Sequence, residues 1–355
     1  MKDHSPNSDA PAAWAAVPLQ WVGPVRLTGA LEAELRIPLA TFETPLFPSV
    51  ARGARVTREA GGICVTVRSE FMTRSILLEA PSADRACAIA REIEARRPDA
   101  AEAAQTGSRF ARFHGLRTEI IGPLLFLRLE METADAAGHN MTTVAAQHVM
   151  DWVLGAWTDL KAVSVSGNFC TDKKVSAVNG LLGRGRSIIA ESVIPESVCR
   201  RRLRASPRAM VELCWKKNWV GSAAAGSLRS ANAHFANMLL AFYLATGQDA
   251  ANIVEGSQGF TYAAEGDDGA LRFSVTLPHL VCGSVGHGKD LAFVAQNLQT
   301  LGCREDRAPG ENARRLAAIA AAAVLCGELS LLAALANPGE LVRTHMAIER
   351  GASRT

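Results

Sequence analysis

A chain of 355 residues, 48% hydrophobic and 21% charged, has ample material for a core and exceeds the usual size of one, so two domains or one with an insertion are expected. Thirty-eight basic and 35 acidic residues leave a net charge of +3 and no clustered basic face, which argues against a nucleic-acid partner. The eight cysteines contain no Cys-x-x-Cys pair, so they suggest neither a metal site nor a disulfide scaffold and read as reduced cytoplasmic thiols.

Residues 1–16 lack an apolar stretch of signal-peptide type and read as a flexible N-terminal arm. Residues 17–24 open the folded chain as a strand, and the apolar segment 35–40 leads to Glu43. Pro45 and Pro48 exclude a regular helix interior there, so Glu43 is expected at an irregular edge. Its apolar neighbours would raise a carboxyl pKa and suit it to donate a proton; a lone glutamate is otherwise simply solvated.

The pattern then changes. Strand 76–78, helix 83–97, strands 116–121 and 124–129, helix 142–160 and strand 162–165 follow in the order βαββαβ. That order predicts an inserted ferredoxin-like domain over 75–165. Between its third strand and second helix runs Thr133-Ala134-Asp135-Ala136-Ala137-Gly138-His139-Asn140-Met141. A small-residue turn opening a helix offers free amides and a positive dipole end to a phosphate, although Gly138 alone equally fits an ordinary cap.

Next comes Ser166-Gly167-Asn168-Phe169-Cys170-Thr171-Asp172-Lys173-Lys174, a carboxylate beside two lysines in a turn-like segment. Either it is a solvated surface turn, or its charge is aimed at charge developing in a substrate. The short clusters Arg184 to Arg186 and Arg200 to Arg202 fit a helix face or an anion contact. A helix over 210–215 is predicted to deliver Lys216-Lys217-Asn218 to a turn, and Ser230 to cap a helix over 231–245. Its Phe235, Met238, Leu239 and Phe242 form an apolar stripe, while His234 and Asn237 share a neighbouring face and can meet a substrate.

Residues 311–336 predict one long alanine-rich helix. The stretch 316–335 is long enough to span a membrane, but Gly327, Glu328 and Ser330 in its middle favour a buried helix, and no membrane is expected as a partner. His345, near the C-terminus, is either surface decoration or part of a closing flap.

The nine-residue string beginning at Ser166 resembles the signature of the HMG-CoA reductases. Further strings follow in the same order: Ala40-Thr41-Phe42-Glu43, Ser108-Arg109-Phe110-Ala111-Arg112, Val220-Gly221-Ser222-Ala223, Asn232-Ala233-His234, Gly247-Gln248-Asp249-Ala250-Ala251, Pro309-Gly310-Glu311-Asn312-Ala313-Arg314 and Thr344-His345-Met346. The resemblance covers roughly 17 to 350 and suggests a soluble bacterial-type member with class I-like motifs. It implies an α+β fold in which a large domain (17–74 and 166–340), built around a long central helix, carries the inserted NAD(P)-binding domain (75–165) and a C-terminal flap (341–355).

It also implies Glu43, Lys173, Asp249 and His345 as catalytic residues. Arg74, Ser166, Asp172, Lys174, Lys217, His234 and Asn237 would hold the substrate. Ser108, Arg109, Asp135, Gly138, Asn140 and Met141 would hold NADPH, with NADH possible. Arginine's fork at Arg109 suits a 2′-phosphate. The implied reaction is the four-electron reduction of HMG-CoA to mevalonate and coenzyme A, at sites between the subunits of a homodimer or higher homo-oligomer.

The chain departs from the common family pattern at Ala134, Ala137, His139 and His287, the last in the loop Gly283-Ser284-Val285-Gly286-His287-Gly288. No carboxylate or thiol spacing supports metal binding at His139 or His287. These changes motivate a second reading, a relative acting on another short acyl-CoA or oxidising mevalonate with NAD. A non-catalytic binding protein is disfavoured by intact residues at all four catalytic positions.

Overall fold

A computed structural model describes residues 15–343 and Met346. It has a mixed α/β architecture in which nine strands form two sheets that share one strand. Strands β1 (Leu19–Gly29) and β2 (Ala33–Ala40) pair antiparallel, covering the predicted opening strand and the apolar segment 35–40. The shared strand, β3 (Ile63–Glu79), is 17 residues long. Its first half pairs parallel with β1 and antiparallel with β7 (Gly185–Ile194). β9 (Leu271–Leu280) and β8 (Phe260–Glu265) extend this larger sheet, whose order is β2-β1-β3-β7-β9-β8.

The second half of β3 belongs to a smaller sheet. Met72 to Glu79 pairs with β5 (Leu124–Glu132), β5 with β4 (Arg112–Ile121), and the end of β3 with β6 (Lys161–Ser164), giving the antiparallel order β6-β3-β5-β4. The helices Ala83–Ala95 and His139–Ala156 form where predicted. A separate helix, Arg97–Gln105, follows the first because Pro98 fits an N-terminal position that needs no amide donor. Apolar residues of this unit, including Ile76, Ile89, Leu127 and Val149, form a cluster distinct from that of the larger sheet.

The larger core surrounds the helix Glu311–Ala336, which is buried along most of its length. By length and composition it could cross a membrane, but 94% of its most apolar window is buried inside the fold. Its small side chains allow other elements to approach closely. The helix Leu46–Glu59 packs on it at Gly53, where an added Cβ would stand 2.1 Å from the Cys326 carbonyl oxygen. Buried Glu328 accepts from the Ala233 and His234 amides and, at 2.7 Å, from the Thr261 hydroxyl. A buried carboxylate so satisfied belongs in a protein interior.

Several local expectations change. Pro45 precedes the Leu46–Glu59 helix and Pro48 lies in its first turn, where no amide is missed, so the helix starts just after Glu43. The predicted turn at Lys216 to Asn218 is instead a π-helical stretch, Cys214–Gly221, continuing the helix Pro207–Leu213. The helix expected from 231 is Phe235–Ala245, because the Asn232 side chain, not Ser230, accepts the Phe235 amide at 3.2 Å. Strands β7 to β9 had no clear alternation and went unpredicted.

Candidate active site

The segment leaving β6 is fixed in a costly conformation. Asn168, Thr171 and Lys173 have positive φ of 62°, 42° and 53°. Each left-handed non-glycine residue costs roughly 1–3 kcal/mol, so the surroundings must over-determine the loop. They do: the Gly167 amide donates to Ser75 O at 2.7 Å, Asn179 Nδ2 donates to Thr171 O at 3.1 Å, and the Thr171 and Ser176 hydroxyls are 2.7 Å apart.

This conformation delivers two charges in different directions. Lys173 Nζ lies 2.6 Å from Asp249 Oδ2. Asp249 begins the short turn Ala250–Asn252 and accepts the Ala251 amide at 3.1 Å. The hydrogen bond to Asp249 raises the Lys173 pKa against the opposing effect of partial burial, and the charges of Asp249, Asp172 and Glu255 add to the rise. Burial would lift the Asp249 carboxyl, but Lys173 and the Ala251 amide hold it below its ordinary value. Both groups therefore stay charged at neutral pH.

Asp172 points the other way. It lies 2.6 Å from Arg184 Nη2, 3.4 Å from His139 Nε2 and 3.9 Å from Arg74 Nη1. Burial pushes its carboxyl up, yet the contact with His139 and the charges of Arg184 and Arg74 outweigh it and hold the group far below the usual carboxylate range. Arg184 is buried and also bonds Thr73 O at 2.8 Å. Ser166 Oγ accepts from Arg74 at 3.5 Å, and Lys174 Nζ donates to Asp172 O at 3.1 Å.

Arg74, Asp172, Lys173 and Asp249 line a cleft of about 480 Å³ together with Gly138, His139, Asn140 and Met141. Gly138 is left-handed at φ 99° and opens the helix His139–Ala156, whose positive dipole end lies at the cleft lining. A Cβ there would meet Thr133 at 2.7 Å, so only glycine fits. Asp135 is placed differently from expectation. Its two carboxylate oxygens accept the Gly310 and Ala313 amides at 2.9 Å each, so it caps the Glu311–Ala336 helix.

The remaining candidates lie elsewhere. Glu43 is exposed and lines a second, largely apolar cavity of about 350 Å³ with Pro45, Leu46, His234 and Asn237. Ser108 accepts the Ala111 amide at 3.0 Å, and the exposed Arg109 guanidinium lies over its neighbour Phe110. Neither lines the cleft that holds Lys173. Lys217 sits in the π-helical stretch and is not among the residues that line either cavity. His345 lies outside the described residues. His287 and Lys289 line the cleft. Among the described residues no group of three metal-binding side chains occurs.

Two features were missed in the sequence. Lys289 follows the second glycine-rich loop, but a single lysine in such a loop carries no signal. A recess of about 370 Å³ gathers Arg52, Arg55, Arg201, Arg202 and Arg204 around Glu340. It shares Arg52 and Glu340 with the Glu43 cavity. Arg201 and Arg202, within the run Arg200 to Arg202, were the visible part of it. Arg52, Arg55 and Arg204 are scattered in sequence and meet only in the fold.

A permanently charged lysine–carboxylate pair at a cleft wall, held by a strained loop, is the apparatus of an enzyme. The chain belongs to the hydroxymethylglutaryl-coenzyme A reductase family, whose model matches residues 5–350. The 3-hydroxy-3-methylglutaryl-coenzyme A reductase of Pyrococcus horikoshii is 41% identical over 337 residues, 94% of this chain and 81% of that protein. The enzyme of that name from Aeropyrum pernix is 41% identical over 349 residues, covering 97% and 82%. A solved structure of the Streptococcus pneumoniae reductase superposes with a TM-score of 0.75 at 18% identity, covering 94% of this chain and 77% of that one. Another from that organism, described as class II and bound to NADPH in open conformations, gives 0.74 at 18% identity over 93% and 88%. At such identity these two speak for the fold.

Proposed function

We propose that this protein reduces HMG-CoA to mevalonate and coenzyme A with two equivalents of NADPH. The observation that carries the reading is the Lys173–Asp249 pair, 2.6 Å apart in the cleft. A lysine whose pKa is raised does not give up its proton, so Lys173 acts as a fixed positive charge. It stabilises the oxygen that becomes negative as the thioester carbonyl, and then the aldehyde, is reduced. Asp249 holds the ammonium in place. Glu43 supplies a proton at the aldehyde stage, and His345 protonates the departing thiolate.

NADPH, when bound, supplies the hydride for each reduction. The residues around the Gly138 turn fit such a cofactor, because they line the cleft at the N-terminus of the helix His139–Ala156, whose dipole favours a phosphate. Asn140 and Met141 line this wall, Asp135 braces it, and Ser108 and Arg109 meet the 2′-phosphate. The acyl group is held by Arg74, Ser166, Asp172, Lys174 and Lys217, with His234 and Asn237 beside Glu43. The arginine recess suits the phosphates of coenzyme A.

Glu43 and Lys173 line different cavities of one chain. A homodimer whose active sites lie at the subunit interface would unite them. Exposed apolar side chains, Phe42 at 74%, Leu181 at 69% and Trp215 at 61%, support such an interface. The small sheet's β6-β3-β5-β4 order supports the ferredoxin-like cofactor domain over 75–165, set in a large domain (17–74 and 166–340) around the central helix. The flap expected over 341–355 lies for the most part outside the described residues. The eight unpaired cysteines favour a cytoplasmic setting.

One observation favours a second reading, oxidation of mevalonate with NAD or action on another short acyl-CoA: His139 stands 3.4 Å from Asp172. Nicotinamide absorbance followed with HMG-CoA and NADPH or NADH, and in reverse with mevalonate and coenzyme A, tests both. About two NADPH consumed per HMG-CoA supports the first reading, and turnover confined to NAD and mevalonate supports the second; no turnover in either direction removes the first reading and mevalonate oxidation, and turnover of another carboxyl-bearing acyl-CoA in their place supports the remaining alternative.

A further inference from the structure

We propose that Lys289 is a positioning residue for the reaction, tying the turn that carries Asp249 to the loop that faces Asp135 to Gly138; this rests on the catalytic reading of the Lys173–Asp249 pair. Lys289 is buried, and its Nζ donates to the carbonyl oxygen of Gly247, two residues before Asp249. Its own backbone is anchored in turn, with Arg304 Nη2 donating to Lys289 O at 3.1 Å. An ammonium withdrawn from water is expensive unless it does something in place of solvation. Here the Gly247 carbonyl takes that role, and Asp249 adds a favourable charge.

The loop that ends at Lys289 holds the Asp249 turn at further points. Gln248 Oε1 accepts the Gly283 amide at 2.9 Å. Gly247 is left-handed at φ 62°, and a Cβ on it would stand 2.7 Å from Gly288 O, so the two backbones are in direct contact. The same loop touches the segment Asp135 to Ala137, which leads to Gly138. The Ser284 amide donates to Asp135 O at 2.9 Å, Ala136 and Val285 form a parallel bridge, and a Cβ on Gly283 would stand 2.4 Å from the Ala137 nitrogen. One seven-residue loop thus spans from the Gly138 wall to Asp249, and Lys289 is its side-chain latch. Without the latch the Asp249 carboxylate loses its register with Lys173, and a displacement near 1 Å costs about 100-fold in rate.

Steady-state kinetics of K289M, K289R and K173M with HMG-CoA and NADPH, beside hydrogen exchange at residues 247–249, test this. K289M is expected to lose about 30- to 100-fold in kcat while both KM values stay within about threefold, and K289R to recover most of the loss. Amides 247–249 should exchange faster in K289M. Wild-type kcat in K289M, or unchanged exchange at 247–249, overturns the proposal, even if thermal stability falls. Should K289M not fold, K289Q is measured with the same expectations. Full turnover in K173M would instead bring down the catalytic reading, whereas a dead K173M with a normal K289M refutes the role of Lys289 alone.

Discussion

Lys173 reaches Asp249 at 2.6 Å from a backbone held at φ 53°, so the ion pair is made from a conformation that lysine avoids when free. The neighbouring bonds of Thr171, Asn179 and Ser176 hold the strain and fix the charge in position. Replacing Lys173 with Met keeps length and removes charge. The expected result is a loss of about 10²–10³-fold in kcat with an unaltered circular dichroism spectrum. NADPH oxidation measured at saturating HMG-CoA checks it.

Arg55 and Arg204 line the recess beside the Glu43 cavity. If they hold the phosphates of coenzyme A, the double variant Arg55→Met and Arg204→Met raises the KM for HMG-CoA by about tenfold or more with little change in kcat. A thioester of pantetheine, which lacks those phosphates, should be reduced equally well by both proteins. Equal effects on the two thioesters would place the phosphates elsewhere.

Asp172 makes stability depend on acid. Its folded pKa lies below the unfolded value of about 3.9, so its contribution is complete above that value and is lost as pH falls from there towards the folded pKa. In Asp172→Asn the corresponding steepening of the unfolding curve between about pH 4 and pH 2 should flatten. Urea midpoints of the two proteins across that range decide it. Equal slopes would mean that His139, Arg184 and Arg74 do not set the titration of this carboxyl.

Gly53 is where the Leu46–Glu59 helix meets the Glu311–Ala336 helix. Its missing side chain is what allows the contact, because an added Cβ meets backbone and not a movable side chain. Gly53→Ala is therefore expected to destabilise by about 3 kcal/mol or more, despite alanine's better helix propensity. Chemical denaturation measures the change. A more stable variant would show that the two helices can separate at no cost.

Much of this was legible in the residues. The helix Glu311–Ala336 appears with its exact bounds because Pro309 and Gly310 precede it and Asn337-Pro338-Gly339 follow, leaving nothing ambiguous at either end. Strands β4 and β5 show through the Gly122-Pro123 turn between them. By contrast β7 and β9, buried among neighbours on both sides, lack the alternation that marks a half-exposed strand. The Lys173 string was visible as charge in a turn, but its partner lies 76 positions away and only the resemblance named it. Asp135 was assigned to a cofactor by the resemblance, since its loop alone equally fits a helix cap. That its two oxygens cap a helix beginning at Glu311 is a tertiary fact no local pattern carries.

β3 runs unbroken from Ile63 to Glu79 and gives its first half to one sheet and its second half to the other. The smaller unit is therefore not slung on a flexible tether. Any tilt of it must be taken up as extra twist in a continuous strand, near Phe71 and Met72, where the partners change from β7 to β5. Motion of this kind is stiff, small in amplitude and directional. A chimera that borrows the smaller unit from a relative would have to be spliced in mid-strand, with the pleat and pairing register of both donors matched at that joint.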